Sequence, residues 1–309
     1  MKEMKNLEFK SEVSNLSFEE LECARDDLSF SILESKMKET MGIEKLNGDI
    51  LRTLGVVNKD GIYNNAAAIL ADKNDFYGVD IARFGSSINE ILERKIASNE
   101  SVLQQYDTAL EFYSRYYQYE EVAGIERRTV EIIPEIAFRE AMANALIHRK
   151  WDSRSPVRIS MFKDYIEINS PGGLPSGLSE EEYLNGGISN LRNPILGNVF
   201  FRMHYVEMFG SGIRRIMESY KDSTLKPIFK ITDNIISVSL PITSTHYEIT
   251  SDEEEIISKL QNGETLASSE RSKLTGFSKA KTLRLINLLI DKNYIKTIGN
   301  GRGTKYSLC

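Results

Sequence analysis

"REAMANALIHRKW", residues 139–151, is the stretch on which the reading of this chain turns. On a 3.6-residue period, Glu140, Asn144 and His148 fall at roughly 0°, 40° and 80° around a helix. Phe138, Met142, Ala145 and Leu146 gather on the far side, at about 140–240°, which is the core face. Ile136, Ala137 and Ile147 border the polar row. A solvent-facing stripe more often carries Lys and Glu than a carboxylate, an amide and an imidazole in line, so the row is expected to wall a cleft. A surface helix with chance polar spacing is the plain alternative.

Upstream, "GIERRTVEIIP" alternates like a strand, and Pro134 suits the first turn of the following helix because its missing N–H costs nothing there. Downstream, "PVRISMF" and "YIEINS" alternate around the polar pair Lys163–Asp164, as a hairpin does. "IFKIT" and "IISVSL" repeat the pattern around Asp233–Asn234, and a helix is expected over about 213–220. Strands in pairs with helices gathered between them predict an α+β, two-layer domain over about 121–247, and "PITSTHYEITSDEEE" (241–255) reads as a linker.

Ahead of this region the signals are mixed. Residues 1–44 are charged and read as an arm with one helix around Phe18–Cys23. Residues 45–120 read as an α/β extension. In it "EKLNGDILRTLGVV" is helix-like, "YNNAAAILAD" and "VDIARFG" are strand-like, and residues 88–118 have long helical spacing through Ile91, Ile96, Val102, Leu103, Leu110 and Tyr113. The cluster Phe112, Tyr113, Tyr116, Tyr117 and Tyr119 is read as packing or subunit contact.

The chain has 309 residues, 41% hydrophobic and 27% charged, with 7 Pro, a composition for two or three folded domains and against disorder or fibrous repeats. No apolar run reaches the roughly 20 residues of a membrane span, and the N-terminus lacks a signal-peptide core, so a cytoplasmic location is expected. Cys23 and Cys309 make no disulfide framework, and with His148, His204 and His246 they form no metal-ligand spacing. The net charge is −6, yet from Thr265 onward nine lysines and arginines face two acids, a local +7. Any polyanion contact is therefore expected at that end.

Two glycine stretches add to the polar helix. "NSPGGLPSG" (169–177) leaves a strand with three glycines and two prolines, suited to unusual backbone angles and close approach of a ligand. "FGSGIRRI" (209–216) sets Gly210 and Gly212 before a helix, whose free N–H groups favour an anion. Taken together, "IPEIAFREAMANALIHRKW", "DYIEINSPGGLPSGL", "LRNPILGNVFFRMHYVEMFGSGIRRI" and "DGIYNNAAAILAD" resemble the C-terminal domain of proteins labelled RecG-like ATP-dependent helicases or Schlafen/AlbA-type transcriptional regulators, over about 45–242. That domain is similar to the GHKL ATPase fold of gyrase, histidine kinases and the MutL repair protein. The resemblance implies a GHKL-like two-layer sandwich, with residues 1–44 an arm or the remnant of an AlbA-type domain.

The resemblance further implies Glu140 as the acid activating water and Asn144 as a Mg²⁺ ligand, with His148, Asn169, Gly172, Gly173, Gly210 and Gly212 around the nucleotide. A carboxylate beside phosphates can take a proton from water, and an amide oxygen is a hard neutral ligand. Asn169 stands where the family's aspartate reads adenine, and Pro171 replaces a glycine. An amide loses the charge-assisted bond, so weak binding of ATP and Mg²⁺ with slow or absent hydrolysis is expected. A helicase motor is excluded because no Gly-x4-Gly-Lys-Ser/Thr string occurs.

Residues 252–309 read as three helices ("DEEEIISKLQ", "LASSERSKLTG", "SKAKTLRLINLLIDKN") and a hairpin, and resemble a winged helix-turn-helix. Leu283 through Ile295 are expected to pack it. Ser278, Lys279, Lys281 and Arg284 would meet the major groove of double-stranded DNA, with Arg302 and Lys305 on phosphate; Arg284 is the expected base reader. The leading expectation is a dimeric DNA-binding transcriptional regulator with a nucleotide or small effector pocket. The alternatives are a Mg²⁺-dependent ATPase using Glu140, and an interaction scaffold with a vestigial pocket.

Overall fold

Helices and strands mix in an α+β fold over the residues that this computed structural model describes, namely 16–123, 126–175, 177–185, 190–207, 210–243, 250–260, 266–267, 276–291, 294–298 and 304–308. They fall into two compact units. The first runs to Asp222 and resumes over Lys226–Ile242; the second takes Ser223–Leu225 and everything from Thr243. The division expected at 120/121 falls inside the first unit.

From residue 16 on, the segment read as an arm is built into that unit, and residues 1–15 lie outside the described residues. Phe18–Glu20 is a single 3-10 turn, and Ser31–Met41 forms α1, which buries Leu33 and Met37. Its apolar stripe is narrow, so the mixed charge hid it. Asp72 accepts from the N–H groups of Ser31 and Ile32 at 2.8 and 2.9 Å, supplying the cap that Phe30 cannot.

Next come α2 (Gly48–Leu54), α3 (Asn65–Leu70), β1 (Val79–Phe84), β2 (Ile91–Ala97) and α4 (Val102–Tyr117). Two expectations fail here. "YNNAAAILAD" is helical over Asn65–Leu70, because Asn64 accepts from Ala67 N–H at 3.1 Å and alanine is the best helix former. Residues 91–97 are a strand: it lies at the sheet edge with Ile91, Leu92 and Ile96 exposed, so their helical spacing has no buried stripe behind it. Of the aromatic cluster, Phe112, Tyr113 and Tyr117 are buried, and Tyr113 stacks on Phe138 at 4.7 Å.

β3 (Gln118–Ala123) and β4 (Glu126–Glu131) form a separate ribbon, and α5 (Glu135–Ile147) follows Pro134. The two expected hairpins are β5 (Val157–Met161) with β6 (Tyr165–Pro171), and β7 (Ile228–Ile231) with β8 (Ile235–Pro241). Between them lie α6 (Glu180–Asn185), α7 (Pro194–Arg202) and α8 (Gly212–Ser219). The sheet runs β2-β1-β5-β6-β8-β7, parallel between β1 and β5 and antiparallel at its other junctions. Ile159, Ile166, Ile168, Val238 and Leu240 join the core with Phe138, Met142 and Leu146 of α5. Each such side chain contributes about 1.5–3 kcal/mol on burial, far more than a surface ion pair.

The end of α5 is pinned by charge. Arg149 is fully buried and donates to Gly78 O at 3.3 Å and Ser155 O at 2.8 Å, while its guanidinium lies 4.3 Å from the Trp151 ring centroid. Burial holds its pKa down at about 10, still charged at neutral pH.

The second unit contains α9 (Ser251–Leu260), β9 (Leu266–Ala267), α10 (Lys279–Asp291), β10 (Ile295–Ile298) and β11 (Lys305–Leu308). Ile256, Leu260, Leu285, Ile286, Leu289, Tyr294, Ile295 and Tyr306 form its core. Leu266 and Ala267, expected to open a helix, instead pair with Tyr306 and Lys305 as a third strand. Residues 268–275 of that expected helix lie outside the described residues. Leu283 and Leu288, expected to pack, are each 41% exposed. No described helix is long and apolar enough to cross a membrane.

Candidate functional site

The polar row of α5 does face something: the start of α8. A Cβ placed on Gly212 would lie 2.9 Å from Asn144 Nδ2 and 3.0 Å from Glu140 Oε2, the first closer than real Cβ contacts run and the second tighter than most, so the tips of both side chains would have to shift. The first turn of α8 thus rests against the ends of the carboxylate and the amide, with glycine leaving both where they are. Glu140 is 4% exposed. Its Oε1 lies 3.3 Å from Arg215 Nη1, and Arg215 Nη2 reaches Glu207 Oε1 at 3.5 Å. Burial raises the Glu140 pKa, and the Arg215 charge opposes that rise.

Glu140, Asn144, His148, Gly210 and Gly212 line one cavity of about 60 Å³. Tyr183 of α6 lines it too, and also lines the small hollow of about 10 Å³ behind it, against Ile168, Ser170 and Val238. Burial pushes the Tyr183 phenol up to about 12. His148 is neutral, its pKa pushed down to about 4 chiefly by burial, and its Nδ1 has no hydrogen-bond partner. An orphaned nitrogen, a buried acid and a helix start thus converge on one cleft, which Tyr183 also lines.

The remaining predicted residues lie elsewhere. Side chains alternate along a strand, so neighbours on β6 face opposite ways. Ser170 donates to Ala145 O of α5 at 2.6 Å, on the helix side. Asn169 points to the other face, where it donates to Glu167 Oε1 at 2.7 Å and accepts from Ser237. Asn169 therefore cannot read a base held against α5; Ser170 occupies that side. Asn169, Gly172 and Gly173 instead line an open groove of about 720 Å³ that also includes Lys150, Arg158 and Arg192. The glycine loop is not bare for a ligand either. A Cβ on Gly173 would lie 2.6 Å from Asp233 O and 2.7 Å from Thr232 O, so the close approach is made by the chain's own β7–β8 turn.

The donors of the α5–α8 cleft fit the phosphate and metal end of a nucleotide in kind: an acid, an amide oxygen, a helix start. The space does not fit, because nucleotide-sized pockets run to about 300–1,000 Å³. A nucleotide there requires the lining, Tyr183 included, to open. Among the described residues, no cluster of three or more His, Cys, Asp or Glu could hold a metal ion. Tyr183 and Arg215 were not singled out from sequence; Arg215, beside the second glycine stretch at helical spacing from Gly212, carried the only usable signal.

In the second unit, Ser278 caps α10 by accepting from Lys281 N–H at 3.3 Å. Lys281 does not project freely. Its Nζ lies 2.8 Å from Asp252 Oδ2 on α9 and 4.0 Å from the Phe277 ring centroid. Arg284 and Lys305 are exposed. The side chain of Lys279 and the whole of Arg302 lie outside the described residues.

Comparison with known proteins places these features. Residues 154–240 match the family described as "Putative ATP-dependent DNA helicase recG C-terminal", so a RecG-like, ATPase-type domain lies where the resemblance expected one. The matched span begins after α5. The crystal structure of the DIP2311 protein from Corynebacterium diphtheriae superposes with a TM-score of 0.66 at 17% identity, covering 98% of this chain. At that identity the likeness is one of fold, and this chain spans 66% of that protein's chain. No curated protein matches this chain.

Proposed function

We propose that this chain is a DNA-binding regulator in which the cleft between α5 and α8 senses a nucleotide and the second unit, a winged helix, grips duplex DNA. One observation carries the sensing half: Gly212 lets the start of α8 press on Glu140 and Asn144, which joins an acid, a metal-capable amide and a helix N-terminus in one place. The RecG-like match over residues 154–240 supports an ATPase-type origin for that cleft. Exposed Arg284 on α10 and Lys305 on β11 support the DNA half, since two cations on the helix and wing of one small unit suit a polyanion. A homodimer follows from specificity, because one module of this size buries too little DNA surface.

Turnover is the second reading, with Glu140 as base and Asn144 on Mg²⁺. Its pairing with Arg215 favours sensing, because an ion-paired carboxylate is held away from the role of proton acceptor. Calorimetric titration with ATP and Mg²⁺ and a duplex-DNA shift assay at low salt test both halves. Arg284→Glu with Lys305→Glu abolishes the shift and leaves nucleotide binding intact. Phosphate release that disappears in Glu140→Ala would replace sensing by catalysis. The absence of both nucleotide and DNA signals would leave the scaffold reading.

A further inference from the structure

A groove of about 610 Å³ opens where β1 meets the turn of the β5–β6 hairpin, away from the cleft described above. Its floor is a column of three rings. Phe84 and Phe162 stack at 5.0 Å and 13°, and Phe162 and Tyr165 at 4.5 Å and 25°. The backbone holds the column: Tyr117 OH donates to Phe162 O at 2.6 Å, and Phe162 N–H donates to Tyr165 O at 2.9 Å. Yet the rings are not core. Phe84 and Phe162 are half-buried and Tyr165 is 36% exposed.

A cation stands beside the rings. The Arg83 guanidinium lies 4.3 Å from the Tyr116 ring centroid, and its Nε is buried without a hydrogen-bond partner. Lys163 is exposed at the hairpin turn. Arg83, Lys163 and Asp164 are the charged residues lining the groove, a net of one positive charge.

We propose that this groove binds single-stranded nucleic acid, with a base stacked on the Phe84, Phe162 and Tyr165 column and a phosphate shared by Lys163 and Arg83. Every base offers a flat face to such a column, so recognition is by stacking and tolerant of sequence. A duplex hides those faces. With one net charge, binding falls only shallowly with salt, with a log–log slope of about −0.7 per phosphate neutralised.

Fluorescence anisotropy of a short labelled oligothymidylate with the full chain tests this. Saturable binding with a shallow salt slope is expected. Tyr165→Ser, a change at an exposed ring, weakens it by about tenfold, and Lys163→Glu weakens it further. Arg284→Glu leaves it unchanged, which separates this site from the duplex contact proposed above. Circular dichroism of each variant checks that the fold is kept, and Phe162→Leu gives a second probe of the column. The proposal is overturned if the oligonucleotide does not bind, if Tyr165→Ser and Phe162→Leu both bind as the unmodified chain does, or if binding is lost in Arg284→Glu. Equal competition by a free mononucleotide would also overturn it, since the occupant would then not be a strand.

Discussion

Strand β6 has a hollow on each of its faces, and the two differ in kind. On the helix side, Ile168 and Ser170 look toward α5 and line a hollow of about 10 Å³ with Tyr183, beside the cleft in which Arg215 pairs with Glu140. On the open side, Asn169 looks into a groove of about 720 Å³, about twelve times the volume of the α5–α8 cleft, with Arg158 and Lys150 at the water. The α5–α8 cleft beside the small hollow holds the buried acid, the orphaned histidine nitrogen and the helix start; the large groove holds solvated charges and the chain's own turn. Volume records what the chain has left uncovered. Organised chemistry is recorded by polar groups the fold has taken out of water, because each is costly to bury without a purpose or a partner.

The contrast breaks most severely at Arg149, which ties the end of α5 to Gly78 and Ser155. Arg149→Ala removes a fully buried side chain and takes from Ser155 O its donor, while Gly78 O keeps its bond from Val157 N–H; the first unit loses about 3 kcal/mol or more, most of it from the cavity. Urea unfolding reads this as a lower midpoint at constant slope, and an unchanged midpoint refutes it. Tyr183→Ala sharpens the contrast next. If the tyrosine occupies the ligand's place, ATP with Mg²⁺ binds about tenfold more tightly to the variant, as a closed population is removed. Asn169→Ala, on the other face, changes calorimetric affinity little, and the reverse pattern moves the site to the open groove.

A smaller effect compares neighbours on the strand. Ser170→Ala loses a buried hydrogen bond and about 1 kcal/mol, whereas Asn169→Ala costs a few tenths; equal costs by thermal unfolding would contradict the facing assigned here.

The smallest effect is with pH. His148, held near 4 when folded and at 6.5 when unfolded, contributes stability above 6.5 that is lost as pH falls toward 4. Glu19 has the opposite shift: burial pushes it from 4.5 up to about 7, although it accepts from the N–H groups of Ile195 at 2.5 Å and Leu196 at 3.0 Å. Its contribution is full below 4.5 and lost as pH rises through 7, so between pH 7 and 4 the two oppose. The intact chain is expected to vary little there, and Glu19→Gln to expose the acid-side loss carried by His148; a flat profile in that variant would remove the histidine from the account.

By itself, the amino-acid order determined the parts that local chemistry decides. The α5 helix with its polar row, both hairpins and the polar stretch beside the break at Ile242 needed only periodicity and turn residues, since their apolar faces repeat over enough positions to name the period. Tertiary structure decided the rest. Asn65–Leu70 and Ile91–Ala97 are runs too short to name their period, the first settled by burial behind its Asn64 cap and the second by pairing with β1, and α1 hides a narrow stripe that only Asp72 and the core complete. Strand alternation says that Asn169 and Ser170 face opposite ways, but not which of them meets α5. That depended on the layer to which the helices pack, and with it went the choice between a narrow cleft and an open groove.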